Sequence, residues 1–152
     1  MKDFLEGTLG VSALLGILGL VFLSCLPAYA ADVSVDMLNK RADGAKMVYS
    51  QDIVTVKAGD TITWLPATKG HNVEFISIPK NVKKIKKSKF NKKVSYKFET
   101  PGIYLYQCTP HKAMGMIGLV VVDGDVSNKD KIAKAKVLGK SKKKLKKLLG
   151  EI

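Results

Sequence analysis

The sequence predicts a mainly β protein, a Greek-key β-sandwich followed by two short C-terminal α-helices. Short β-branched or alternating runs, separated by turn signals, fill residues 31–123. The strand pattern stops after Asp123, and lysine-rich sequence with helical apolar spacing follows it. The chain of 152 residues provides one domain after an N-terminal segment of different composition.

Seven runs have the pattern of strands. In the first, Val33, Val35 and Met37 alternate with polar residues, as expected for a half-buried strand. The other six runs are residues 53–56, 61–65, 73–76, 94–98, 103–107 and 117–122. Gly59 and the Pro101-Gly102 pair mark turns between them.

Residues 128–152 contain ten lysines and two sets of apolar residues at near-helical spacing. The sets are Ile132, Ala135 and Leu138, then Leu145, Leu148 and Leu149. Gly139 is a stop signal for the first helix, and Ser141 is a candidate N-cap for the second. We expect residues 124–152 to form a basic helical tail packed on the sandwich, with a basic membrane-surface helix as the alternative.

The first 30 residues have the pattern of a signal peptide. Residues 7–31 carry no charge, and Ala28-Tyr29-Ala30 is a small-x-small cleavage signal. The mature protein then begins at Ala31, is periplasmic, and has a net charge of +14 instead of +13. Two alternatives are a retained membrane anchor and a lipoprotein modified at Cys25.

The basic charge and the single remaining cysteine limit the possible functions of the exported chain. One cysteine argues against a disulfide framework, and a metal that holds it as thiolate would explain its presence. Eight lysines lie within residues 80–93, which we expect to form a loop or an irregular strand. We expect no nucleic-acid partner, because basic charge alone is unspecific and exported proteins rarely meet nucleic acid.

Four residues provide the ligand set of a blue-copper centre. Cys108, His111 and Met116 lie in one short segment after a strand, and His71 lies 37 residues before the cysteine. Two imidazoles and a thiolate in a trigonal plane with a weak axial methionine are typical of blue copper. We therefore predict one copper ion that alternates between Cu(I) and Cu(II). Met114 competes for the axial position, but we assign Met116 and expect Met114 at the surface.

Two neighbours of the ligands are candidates for tuning the metal. Pro110 lacks an N–H group, which removes one potential donor to the Cys108 sulfur. Asn72 follows ligand His71 and is placed to tie the two ligand segments together.

The sequence resembles the pseudoazurins, a group of periplasmic cupredoxins. The shared motifs are KGHNVE at 69–74, CTPHKAMGM at 108–116, MLNK at 37–40, DGA at 43–45, AGDT at 58–61 and TPG at 100–102. The resemblance implies a cupredoxin sandwich of about eight strands. It also implies one type 1 copper held by His71, Cys108, His111 and Met116, and transfer of single electrons between larger redox proteins.

The resemblance further implies a docking face. Pro110, Ala113 and Met114 match the apolar patch around the exposed histidine, and the candidates for a surrounding lysine ring are Lys40, Lys69 and Lys112. The implied partner is an acidic redox protein, a copper nitrite reductase or a c-type cytochrome, in a transient complex with this chain as a monomer. Gln107 departs from the family, which often has lysine at this position.

The ligand set fits two other classes of function, an enzyme and a copper chaperone or storage protein, less well than it fits an electron carrier. An enzyme such as a copper oxidase needs further ligands, but both histidines are already used. A copper chaperone or storage protein, the main alternative, would favour exposed and exchangeable sites rather than one four-ligand site.

Overall fold

The computed structural model describes residues 31–152, and the predicted signal peptide lies outside these residues. Eight strands and two helices follow one another along the chain. They are β1 Asp32–Lys40, β2 Lys46–Tyr49, β3 Ile53–Val56, β4 Thr61–Leu65, β5 Glu74–Ser77, β6 Val94–Lys97, β7 Gly102–Gln107, β8 Ile117–Val122, α1 Lys129–Ala133 and α2 Lys140–Gly150. The predicted mainly β sandwich with two short C-terminal helices is confirmed.

The strands form two four-stranded sheets. One has the order β2-β1-β4-β6, and the other has the order β3-β8-β7-β5. β1 pairs in parallel with β4, and β3 pairs in parallel with β8, whereas the remaining neighbours are antiparallel. The main core between the sheets is built around Trp64, whose ring makes edge contacts with Phe75, Tyr96 and Tyr106.

Strands β7 and β8 are buried along their whole length because both of their faces are covered. In β7, Tyr104 and Tyr106 point into the core between the sheets, whereas Ile103 and Leu105 belong to a second apolar cluster on the outer face. Successive side chains of a strand point to opposite faces, so two covered faces require a continuous apolar run. The sequence of β7 and β8 meets this requirement.

The C-terminal helices cover the outer face of this second sheet. Ile132 of α1 and Leu145, Leu148 and Leu149 of α2 are buried in the outer cluster. The lysines of α2 lie on its other face, except that Lys144 forms an ion pair of 2.7 Å with Asp52. The apolar stripe of α2 is therefore buried against the sheet.

Two details of the helix prediction are wrong. Gly139, not Ser141, is the N-cap of α2, and Ser141 is fully buried inside the first turn. Leu138 lies between the helices and is 49% exposed, because α1 ends at Ala133 and breaks the helical spacing.

The sequence missed one strand, β2. Its four residues include Met47 at a φ of +49°, and so short and irregular a run does not alternate clearly. Pairing with β1 at Met37 and Leu38 is what makes it a strand. The other seven predicted strands are present with end shifts of a few residues at most. Residues 80–93 form an irregular loop, which is the first of the two structures predicted for this segment.

Within residues 31–152, neither helix has the length and apolar character needed to cross a bilayer.

Gly118 of β8 is predicted to tolerate no side chain. A Cβ there would lie 2.5 Å from the Cζ and hydroxyl oxygen of Tyr106, a fully buried ring packed between Tyr49 and Trp64. We expect Gly118→Ala to lower the free energy of unfolding by about 1–3 kcal/mol in urea denaturation. Gly150→Ala, where the Cβ meets nothing within 4 Å, is the control. Equal stability of the two variants would contradict this packing.

Candidate metal centre

Strand β7 positions the thiol. Tyr104 and Tyr106 face the core between the sheets, and Cys108, two residues further on, continues the same alternation. Its thiol is therefore directed inward at the end of the sandwich, where the residue is fully buried. His111 follows in the loop between β7 and β8, and His71 comes from the connection between β4 and β5.

The three donor atoms form a compact triangle. Cys108 Sγ lies 3.7 Å from His71 Nδ1 and 3.4 Å from His111 Nδ1, and the two Nδ1 atoms are 3.2 Å apart. A point equidistant from the three atoms lies about 2.0 Å from each, close to the metal–nitrogen distance of about 2.0–2.1 Å in zinc sites. Within the described part of the chain, these residues form the one cluster of this kind. The triangle thus has the size that a first-row metal ion needs.

The two methionines of the loop lie in different environments. Met116 is fully buried in the same cluster as Cys108, and its carbonyl accepts a hydrogen bond of 2.9 Å from the Cys108 N–H. Met114 is 49% exposed, and its N–H donates to the His111 carbonyl. The surface position expected for Met114 is confirmed, and Met116 is the methionine beside the donor triangle.

Polar contacts orient the ring of His71. Its Nε2 lies 2.9 Å from Asn39 Oδ1 and 3.2 Å from Thr68 Oγ1. A proton on Nε2 donates to the Asn39 oxygen, which leaves the lone pair of Nδ1 directed into the triangle. Asn39 and Thr68 could not be predicted as supports, because nothing local in the sequence signals that the end of β1 meets this ring.

Burial sets the protonation of the donors. It lowers the pKa of His71, with a further lowering from His111, and it also lowers the pKa of His111. It raises the pKa of the Cys108 thiol, although the backbone N–H groups of Asn72 and His111 lower it in part. Neutral imidazoles offer lone pairs to a metal, and a bound cation reverses the thiol preference by stabilising the thiolate.

Asn72 ties the two ligand segments together. Its side-chain carbonyl accepts a hydrogen bond of 2.8 Å from the Thr109 N–H, and its amide donates to Thr109 Oγ1 at 2.9 Å. Thr109 Oγ1 in turn donates to Glu74, which also accepts from Gln107. The residue after ligand His71 is thereby locked to the residue after ligand Cys108.

The start of α2 supports the other side of the ligand loop. The Lys140 N–H donates to the Ala113 carbonyl at 2.9 Å, and the Ser141 hydroxyl donates to the Lys112 carbonyl. A Cβ at Gly139 would lie 2.4 Å from the Ala113 oxygen, so only glycine permits this approach. The sequence predicts Ser141 to be a helix cap, but in the fold its hydroxyl holds the ligand loop instead.

The chain matches the family model for copper binding proteins of the plastocyanin/azurin family over residues 35–123. It is 43% identical over 118 residues to a putative pseudoazurin of Rhizobium leguminosarum bv. viciae, covering 76% of each chain. It is 40% identical over 121 residues to the pseudoazurin of Paracoccus pantotrophus, covering 78% of this chain and 82% of the relative. The chain belongs to the pseudoazurins of the plastocyanin/azurin family.

A solved pseudoazurin has the same fold. The crystal structure of the native protein from Hyphomicrobium denitrificans matches with a TM-score of 0.75 and 37% identity, over 80% of this chain and 98% of that one. This is a family of copper electron carriers. His71, Cys108, His111 and Met116 form its type 1 copper site, and the donor set of one thiolate, two imidazoles and one thioether fits copper.

The candidate docking residues differ in their exposure to solvent. Pro110, Ala113 and Met114 are exposed, His111 and Lys112 are half-buried, and Lys40 and Lys69 are exposed. Among the four ligands, His111 is the one with a surface-accessible part, since the other three are fully buried.

Removing the Ser141 hydroxyl is expected to loosen the ligand loop without emptying the metal site. Ser141→Ala leaves the Lys112 carbonyl without this donor and should lower the free energy of unfolding by about 1 kcal/mol. Urea denaturation of the copper-loaded protein measures the loss, and the visible spectrum should keep its thiolate-to-copper band. Ser34→Ala, at an exposed serine of β1, is the control. Unchanged stability of Ser141→Ala would argue against this support.

Proposed function

We propose that this chain is a periplasmic carrier of single electrons, exported through an N-terminal signal peptide, residues 1–30, that is then cleaved. It accepts an electron from one redox protein and delivers it to another, such as a c-type cytochrome and a copper nitrite reductase. The copper supplies the one-electron change between Cu(I) and Cu(II). The protein itself performs no catalytic reaction.

The different exposure of the four ligands supports this proposal, because three are buried and one reaches the surface. Cys108, His71 and Met116 are fully buried, whereas the half-buried His111 reaches the surface. An electron can then leave through one imidazole edge, while water and small oxidants are kept from the thiolate. A storage or chaperone site would need ligands that exchange metal readily, and buried ligands fixed by hydrogen bonds disfavour exchange.

Fixed ligand positions suit rapid electron transfer. The Asn72–Thr109 bonds, the Asn39–His71 contact and the α2 contacts with the ligand loop hold the donors from three sides. Ligands that cannot rearrange keep one geometry in both oxidation states. This lowers the reorganisation energy of electron transfer. The chain's own contribution is therefore the rigidity of the donor triangle.

The surface around His111 supports a transient acidic partner. Exposed Pro110, Ala113 and Met114 provide a small apolar contact. Lys40, Lys69 and Lys112 provide positive charge, in a chain with a net charge of +13. Such charge accelerates encounter with an acidic protein while adding limited affinity, as a carrier that must dissociate requires.

Replacing the thiolate ligand should abolish the colour. Cys108→Ser removes the sulfur whose charge transfer to Cu(II) makes blue-copper sites absorb strongly in the visible range. We expect the oxidised wild-type protein to be intensely blue or green and the variant to lack that band. Met114→Ser, which leaves all four ligands in place, is the control. A colourless oxidised wild-type protein with labile copper would contradict the proposed function as an electron carrier.

Reversing the charge of Lys112 should slow electron transfer to an acidic partner. Lys112→Glu places a negative charge beside His111, and we expect about a tenfold lower rate with copper nitrite reductase at low salt. Stopped-flow absorbance follows the reaction, and the difference should shrink at high salt because screening removes it.

The matched control for this charge reversal is Lys57→Glu. Lys57 is also exposed, and Lys57→Glu changes the net charge by the same amount. Lys57 follows β3 at the end of the sandwich that is far from the ligand loop. Equal slowing by both variants would mean that net charge, and not a docking face at Lys112, controls the rate.

A further inference from the structure

An exposed aromatic residue, Phe90, stands in the lysine-rich loop of residues 80–93. It is 48% exposed, although Val82 and Ile85 of the same loop pack against the main core. Single exposed apolar residues are ordinary on protein surfaces. The place of Phe90 relative to the metal centre is what distinguishes it.

Hydrogen bonds attach the loop directly to the segment that carries ligand His71. The Asn91 N–H donates to the His71 carbonyl at 3.0 Å, and the Asn91 side-chain oxygen accepts from the Gly70 N–H. Three residues earlier in the loop, Ser88 exchanges two hydrogen bonds with Val73. The loop next to Phe90 is therefore fixed against residues 70–73.

The same attachment brings Phe90 close to the exposed ligand. Gly70 lies beside His111, because a Cβ at Gly70 would be 3.9 Å from His111 Cε1. Asn91 bonds to Gly70, and Phe90 is its neighbour, so the Phe90 Cα lies within about 10 Å of Gly70. Met114, another large exposed apolar side chain, is attached to His111 directly, because its N–H donates to the His111 carbonyl.

Positive charge surrounds Phe90. Lys89, Lys92 and Lys93 are all exposed, and none of them forms an ion pair within residues 31–152. An aromatic contact within unpaired lysines is complementary to an acidic surface with an apolar spot. A buried role for Phe90 would instead require a covering element, and the loop exposes it to solvent.

We infer that Phe90 is a second apolar contact for the acidic redox partner, extending the patch at Pro110, Ala113 and Met114 to the lysine-rich loop. This inference rests on the proposed function, since it assumes that the partner docks over His111. The partner then contacts the ligand loop and the lysine-rich loop together, and the aromatic side chain helps to select the orientation in which electrons pass.

The test compares two variants that each remove one exposed apolar side chain. Phe90→Ser acts at the proposed contact. Val126→Ser is the matched control, because Val126 is 40% exposed and lies beside Asn128, which bonds to Ile103 at the start of β7. That end is separated from Cys108 by the length of β7, about 20 Å.

The Cu(I) proteins are titrated with a copper nitrite reductase and followed by NMR, and electron transfer is timed by stopped flow. We expect Phe90→Ser to raise the Kd about three- to tenfold, as the loss of part of one aromatic contact predicts. Val126→Ser should bind as the wild type does, and Phe90→Leu should recover most of the affinity. The Phe90→Ser defect should persist at high salt, because an apolar contact is not screened.

The outcomes separate this inference from the proposed function. If the wild type transfers electrons and Met114→Ser weakens binding, but Phe90→Ser binds normally, the Phe90 contact is wrong and the carrier function stands. Equal weakening by Phe90→Ser and Val126→Ser also overturns it. If the wild type exchanges no electrons with either a nitrite reductase or a c-type cytochrome, the proposed function fails, and the Phe90 contact fails with it. The visible spectrum of each Cu(II) variant must match the wild type, which shows that the site is intact.

Discussion

The alternation of side chains along β7 is the constraint on which the rest of the structure depends. Tyr104 and Tyr106 point into the core between the sheets. Cys108, just beyond the last residue of β7, points to the same side. A shift of one residue in register would turn the thiol towards the helices and leave the metal site without its sulfur. Burial of β7 on both faces opposes such a shift, because the outer positions Ile103 and Leu105 are also buried.

Around this strand, separate parts of the chain hold the other donors. Asn72 links the His71 segment to the Cys108 segment, and Ser141 at the start of α2 holds the carbonyl that follows His111. The C-terminal helices therefore do more than cover the sheet. They transmit the packing of the outer apolar cluster to the ligand loop, since α2 is buried in that cluster and bonded to that loop.

The site combines three buried ligands with one accessible ligand. Burial lowers the pKa of both imidazoles and raises the pKa of the thiol, which favours the neutral form of each donor. On the outside, His111 is bonded to the exposed Met114 and lies beside Gly70, to which the lysine-rich loop is attached. The basic surface is thus joined to the metal centre by the backbone N–H and the side-chain oxygen of Asn91, and charge that would guide a partner lies near the group through which electrons would pass.

The sequence by itself determined the strands with strong alternation, the family and the identity of the ligands. These are local signals: Ile117–Val122 is β-branched and apolar almost throughout, and Cys108, His111 and Met116 lie within one short segment. Only the tertiary structure decided which residues support that set. β2, the Asn39 contact with His71, the use of Ser141 and the place of Phe90 each depend on a partner far away in the chain. Residue types determine which side chains can bind copper, and these can be read from the sequence. The contacts that support the ligands depend on distances between remote residues, and those distances are set only when the sheets and helices pack.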